Sequence, residues 1–292
     1  MNYKTVFNVV GKAMIIEGIM MIISALVGVI YHESTLSLLI PAAGLFALGI
    51  PLSFLKSESK NIYAKEGFVI VALCWIVLSL FGAIPFVLSK TIPNYIDALF
   101  ETVSGFTTTG ASVVEDLSIF NKSLMFWRVF THFLGGMGVL VFVLAVLPNS
   151  SMGAMHIFRA ESPGPSSSKI VGNLKKTARI LYLIYLGFTA IMIVLLLFSG
   201  MGFYDSLLTA FSTAGTGGFG VHNGSIAYYD SLYVEIVIAV FMFLFGVNFN
   251  LFYLMLTGSV LKALKSEEFK TYIVILLVAT VTIAINLLST SL

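Results

Sequence analysis

Polar and apolar residues fall along this chain in long blocks. Apolar runs cover residues 13–31, 38–55, 67–89, 123–147, 179–199, 231–261 and 271–290. An α-helix needs roughly 20 apolar residues to cross a ~30 Å hydrocarbon core, and these runs are of that order. The pattern predicts an all-α, polytopic membrane protein. Two shorter segments depart from it. Asn94–Gly105 and Phe203–Thr213 are amphipathic and too short to span. Each runs into a polar, glycine-bearing loop, Phe106-Thr-Thr-Thr-Gly-Ala-Ser112 and Ala214-Gly-Thr-Gly-Gly-Phe-Gly220. Lipid cannot satisfy free backbone groups, so irregular backbone at membrane depth survives only inside protein or against water.

The two loops are partners. A gapless shift of 108 positions places Asp97 on Asp205, Leu99 on Leu207 and Ser104 on Ser212. The same shift places Thr108 on Thr216, Gly110 on Gly218, Ser123 on Ser231 and Gly138 on Gly246. Both windows read as outer helix, half-helix, threonine–glycine loop, inner helix. That is the layout of a potassium-channel pore, where backbone carbonyls replace the hydration shell of the ion. Internal repeats put the ion site at their interface. The expected units are two leading helices over 1–66, a first pore repeat over 67–147 and a cytoplasmic linker over 148–178. A second pore repeat follows over 179–261, and 262–292 opens a third.

Composition sharpens this picture. The chain is 58% hydrophobic and 10% charged, whereas soluble domains carry about 25% charged residues. Its single cysteine, Cys74, excludes an internal disulfide. The histidines show no metal-ligand spacing, and nothing in the sequence calls for an enzyme, a covalent cofactor or a nucleic-acid partner. With the N-terminus inside and each pore loop entering from outside, thirteen lysines and arginines fall inside and three outside or at the outer interface. That asymmetry follows the positive-inside tendency.

Candidate ion-binding positions are Thr107, Thr108, Thr109, Gly110 and Ala111 in the first loop, and Thr216, Gly217, Gly218 and Phe219 in the second. Potassium itself is assigned to Thr108, Thr109, Gly110, Thr216, Gly217 and Gly218. Each half-helix aims its negative C-terminal end at the ion path, which favours cations. Glu115 and Asp116 follow the first loop at its outer mouth. They either concentrate cations there or simply solvate the loop. Asn248 and Asn250 interrupt the last part of 231–261; they either bind helices together or line the pore. Arg128 and His132, one turn apart, read as an interface anchor and a hydrogen-bonded histidine. Glu17 reads as snorkelling from near the cytoplasmic end, against the default view that an intramembrane carboxylate is functional. Glycine-rich 214–220 has neither the preceding strand nor the following lysine of a nucleotide loop.

Four motifs carry a resemblance: Ser104-Gly-Phe-Thr-Thr-Thr-Gly-Ala111, Trp127-Arg-Val-Phe-Thr-His-Phe-Leu-Gly-Gly-Met-Gly-Val139, Ser212-Thr-Ala-Gly-Thr-Gly-Gly-Phe219 and Gly246-Val-Asn-Phe-Asn250. In these the chain resembles the N-terminal part of bacterial Trk-type potassium uptake membrane subunits, of the Trk/Ktr/HKT superfamily. The resemblance implies potassium uptake across the bacterial plasma membrane. It also implies four repeats around one pore, a homodimer, and a cytosolic nucleotide-binding ring subunit as regulator. Two complete repeats are legible here, so the expectation is a fragment or split product. Other readings are a non-conducting accessory subunit and a proton- or sodium-coupled transporter. The second of these wants embedded carboxylates, which the apolar runs barely supply beyond Glu17 and Glu235.

Overall fold

The computed structural model describes residues 2–55, 64–136, 138 and 174–290. The expected linker up to residue 173 and the inner-helix residues 139–147 lie outside them. Eleven α-helices occur among the described residues, and five are long and apolar enough to cross a membrane.

The chain starts with a helical hairpin, α1 (Tyr3–Ile30) and α2 (Leu36–Ser53). At 1.5 Å per residue, α1 is roughly 42 Å long and clears the hydrocarbon core. The two helices cross where glycines meet: a Cβ at Gly11 would lie 2.8 Å from the Gly49 carbonyl oxygen, and one at Gly49 2.8 Å from that of Gly11. Small residues at such crossings let backbones approach. The Asn8 amide donates to the Ser53 and Leu55 carbonyls, which pins the end of α2. Glu33, in the α1–α2 turn, accepts from the backbone N–H groups of Lys122 and Ser123 at 2.8 and 2.9 Å. A carboxylate at a helix N-terminus satisfies free donors and faces the positive end of the dipole. The leading pair is thereby bolted to the first inner helix.

The first repeat comprises α3 (Ala64–Leu88), the half-helix α4 (Tyr95–Phe106) and α5 (Lys122–Gly136). In the second these roles fall to α6 (Leu174–Phe198), the half-helix α7 (Phe203–Ala214) and α8 (Leu232–Gly246). The half-helices have equal length and start and end 108 residues apart. A short 3₁₀ turn follows each loop, starting at Leu117 and again 108 residues on at Ser225. Met14, Met21, Leu45, Leu78, Phe86, Phe106 and Trp127 form one core, joining the leading pair to the first repeat. Tyr185, Met192, Leu196, Ile238, Phe241 and Phe245 form the second-repeat core.

The structure departs from expectation at two places in this scaffold. The inner helix expected within 231–261 breaks after α8, and α9 (Phe249–Leu256) leaves at an 88° bend. Val247 is extended there, and the Asn248 side chain accepts from the Asn250 N–H to cap the new helix. Asparagine competes with the helical ladder in this way. α10 (Val260–Leu264) and α11 (Glu267–Thr290) complete the chain, with Tyr272 of α11 donating to the Phe243 carbonyl. The second departure is Glu17. It does not reach an aqueous boundary: it is 3% exposed, and neither carboxylate oxygen has a hydrogen-bond partner among the described residues.

Candidate filter and its supports

The two loops repeat one backbone conformation. Thr108 and Thr216 take φ of 54° and 58°; Gly110 and Gly218 take 76° and 80°. The Thr108 N–H donates to the Gly105 carbonyl and the Thr216 N–H to the Thr213 carbonyl, both at 3.0 Å. A left-handed conformation at a β-branched residue costs on the order of 1–2 kcal/mol. Strain of this kind gathers at functional sites, held by the structure around it. Here the same strain stands at both ends of the 108-residue offset. Glycine two residues on then accepts a second positive φ, which a Cβ would penalise.

The loops also touch. A Cβ at Gly110 would lie on the Gly217 carbonyl oxygen, so the predicted positions of the two loops converge at these glycines. The Thr107 hydroxyl donates to the Val103 carbonyl at 2.7 Å and shares a hydrogen bond with the Thr109 hydroxyl at 2.8 Å. Thr108 is half-buried and Ala111 exposed. Gly218 faces open space, beside a cleft of about 390 Å³ lined by Thr213, Thr216, Phe219, Met242 and Gly246. Phe219 differs from its neighbours: its ring turns inward and is 3% exposed.

Behind the loops lies a support that the sequence reading missed. Glu101 of α4 and Arg128 of α5 form an ion pair at 2.6 Å, with side chains 0% and 2% exposed. Glu101 also accepts from the Ser112 hydroxyl at 2.9 Å and the Val113 N–H at 3.1 Å, at the far end of the first loop. Arg128 donates to the Gly220 carbonyl at 3.2 Å and lies 3.7 Å over the Phe219 ring, at the far end of the second. One buried pair therefore grips both loops. Arg128 is no interface anchor: a lone buried guanidinium is costly, and the facing carboxylate offsets part of that cost.

His132 is likewise not the hydrogen-bonded histidine expected. It is fully buried, and neither ring nitrogen has a hydrogen-bond partner among the described residues. Its ring meets Phe219 edge-on at 3.9 Å, and a Cβ at Gly217 would strike its Nε2. It is a packing wall for the second loop. Gly135 and Gly136 let the end of α5 approach both loops. A Cβ on Gly135 would strike the Phe106 carbonyl oxygen, and one on Gly136 would lie 2.8 Å from the Gly215 Cα.

At the outer mouth, Glu115 is exposed. The Asp116 carboxylate caps its own turn through Ser118 and accepts from the Asn223 amide at 2.8 Å. Asn223 in turn accepts from the Leu117 N–H at 2.7 Å, so the two outer loops are tied together. The Asn223 amide, then the Ser118 N–H and hydroxyl, hold the Asp116 carboxyl below its ordinary value. His222 pairs with Asp205 at 3.0 Å and stacks on Tyr228. Far below, Asn248 donates to the Glu268 carboxylate at 2.8 Å, and Asn250 is buried.

The sequence has known relatives. Residues 39–289 match a family described as "TrkH: Cation transport protein". The "Trk system potassium uptake protein TrkH" of Escherichia coli K12 is 36% identical over 282 residues, which is 94% of this chain and 58% of that protein. The Halomonas elongata protein of the same name is 31% identical over 255 residues, 86% of this chain and 53% of that one. The crystal structure of the potassium transporter TrkH from Vibrio parahaemolyticus superposes with a TM-score of 0.82 at 28% identity, covering 95% of this chain and 57% of that one. The chain thus spans a little over half the length of the relatives it matches.

Proposed function

The chain belongs to the TrkH family of cation transport proteins, and from that membership we propose that it supplies two of the filter loops of a potassium-uptake pore. The observation that carries this reading is the shared loop backbone: left-handed Thr108 and Thr216, then left-handed Gly110 and Gly218, each loop at the end of a half-helix. Such loops present carbonyls in place of the hydration shell of an ion. The negative end of each half-helix dipole meets the site and favours cations over anions. The assigned potassium positions are Thr108, Thr109, Gly110, Thr216, Gly217 and Gly218. The chain is a transport protein of the bacterial inner membrane in this reading, with its N-terminus in the cytoplasm. Homodimerisation and regulation by a cytosolic nucleotide-binding ring subunit belong to the same proposal.

Rubidium uptake tests it. Cells lacking potassium uptake would express this chain together with the C-terminal half of Escherichia coli TrkH, which supplies further loops. Restored, potassium-competed uptake is the expected result, and Gly110→Ser should weaken its selectivity over sodium. No uptake from a well-expressed, membrane-inserted pair, or uptake indifferent to Gly110→Ser, would refute the proposal.

A further inference from the structure

Glu17 has no part in the filter supports, yet it is the one carboxylate placed inside the first-repeat core with no hydrogen-bond partner among the described residues. It faces a small apolar cavity lined by Ile16, Met20, Leu78, Phe106, Leu134 and Tyr182. Gly82 opens the approach. A Cβ there would lie 2.7 Å from Thr102 Cγ2, 3.1 Å from the Phe106 ring and 3.2 Å from Glu17 Oε1. Glu17 therefore sits against the last turn of α4, where the first filter loop begins. Phe106 is the last residue of that turn. Its ring packs edge-on to Trp75 at 6.4 Å and Trp127 at 6.2 Å, and the Trp127 indole donates to the Gly82 carbonyl at 3.0 Å.

Among the described residues no cation pairs with this carboxylate. On α1, the nearest charge in sequence is Lys12, more than one turn away. α2 carries no titratable side chain, and α3 brings Cys74, with Lys65 and Glu66 at its start. On α4 and α5, Glu101 and Arg128 are committed to each other, while Asp97 and Lys122 stand at helix starts and His132 faces Phe219. α6 brings Arg179 near its start, exposed, then Tyr182, which lines the cavity, and Tyr185, which donates to the Phe133 carbonyl. An ionised carboxylate in such a place is far costlier than a neutral acid.

We propose that Glu17 is a proton-binding site within the membrane, and that its bound proton keeps Phe106 and the first pore helix seated. Loss of the proton would leave an unpaired anion against Phe106 and draw water into the cavity. The first filter loop would then lose its rear support.

Two measurements on the purified chain in lipid test this without transport. Infrared spectroscopy at neutral pH should show a protonated carboxylic acid band that Glu17→Gln removes. The chain has two tryptophans, Trp75 and Trp127, and both flank Phe106. Their emission should therefore shift as pH rises above neutral in the native chain, and stay unchanged in Glu17→Gln. Three results would overturn the proposal: no acid band at neutral pH, a carboxylate band that moves with sodium or potassium instead, or a tryptophan shift that is absent or survives the substitution. Should Glu17→Gln not fold, Glu17→Asp retains the acid but draws it back from Phe106. It should keep the infrared band and lose most of the emission change, and retention of the full change would refute the link to Phe106.

Discussion

Replacing Arg128 by leucine isolates the element that joins the two loops. The substitution keeps an apolar stem in the site and deletes the guanidinium. Glu101, fully buried, would keep only the Ser112 hydroxyl and the Val113 N–H as donors. Breaking a buried pair by removing one partner costs about 3–5 kcal/mol, because the remaining charge is left uncompensated. An exposed pair would cost about 0–1 kcal/mol. The contact of Arg128 with the Phe219 ring at 3.7 Å adds to the loss, by about 1–2 kcal/mol when desolvated. The doubly substituted Glu101→Gln/Arg128→Leu chain has no charge left at this site and should recover about 2 kcal/mol or more of that loss. The assay is equilibrium unfolding of the reconstituted chain in mixed micelles, read by the combined emission of Trp75 and of Trp127, the residue next to Arg128 in sequence. A loss under about 1 kcal/mol for Arg128→Leu, or simple additivity in the double variant, would show that the pair is not the support described.

Three further outcomes follow from the same geometry. Gly110→Ala should destabilise more than Gly218→Ala in the same unfolding assay. Both need a positive φ, but only at Gly110 would the new Cβ meet the Gly217 carbonyl; the Gly218 change should cost about 1 kcal/mol, and equal losses would refute the close contact. Asp116 should stabilise the outer-loop tie fully at neutral pH and lose that contribution only as pH falls through its lowered value; Asp116→Asn should abolish this acid-side dependence of the melting temperature, and an unchanged profile would refute the tie. A cysteine at Ser167 should resist an impermeant thiol reagent applied to whole cells, and labelling from outside would overturn the inward orientation drawn from the charge count.

Much of the scaffold was legible because membranes impose simple rules. Length and apolarity marked the spanning helices, and the 108-residue offset marked the repeated half-helix and loop. What stayed hidden was which polar residues face one another. Glu101 lies mid-helix in a short amphipathic segment, where a charge reads as the wet face. Yet it and Arg128 are opposite charges in neighbouring segments at membrane depth, and that alone was a usable signal for pairing. His132 gave no such signal, since a histidine that serves as a packing wall looks like one that hydrogen-bonds. The break at Val247–Asn248 was marked by the Asn-Phe-Asn interruption. Reading the asparagines as glue or as pore lining within one inner helix overlooked the capping preference of asparagine. Glu17 was misread because an apolar run does not say how deep any one of its residues sits.

The two repeats agree in backbone and disagree in support, and the disagreement has a structural use. At the 108-residue offset Glu101 corresponds to Thr209, Arg128 to Ile236 and His132 to Val240. None of these can form the ion pair, and Ile236 is 54% exposed within this chain. The second repeat therefore cannot hold its own loop in the way the first does. Its loop is held instead from the first repeat: Arg128 takes the Gly220 carbonyl, and Arg128 and His132 together enclose Phe219. Two identical, self-contained supports would let each loop settle independently. A single buried pair shared between them fixes the spacing of the loops as well as their shape. Spacing is the quantity a carbonyl cage depends on, since its oxygens must converge on one ion. The sequence asymmetry behind a symmetric backbone is thus what couples the two loops into one surface.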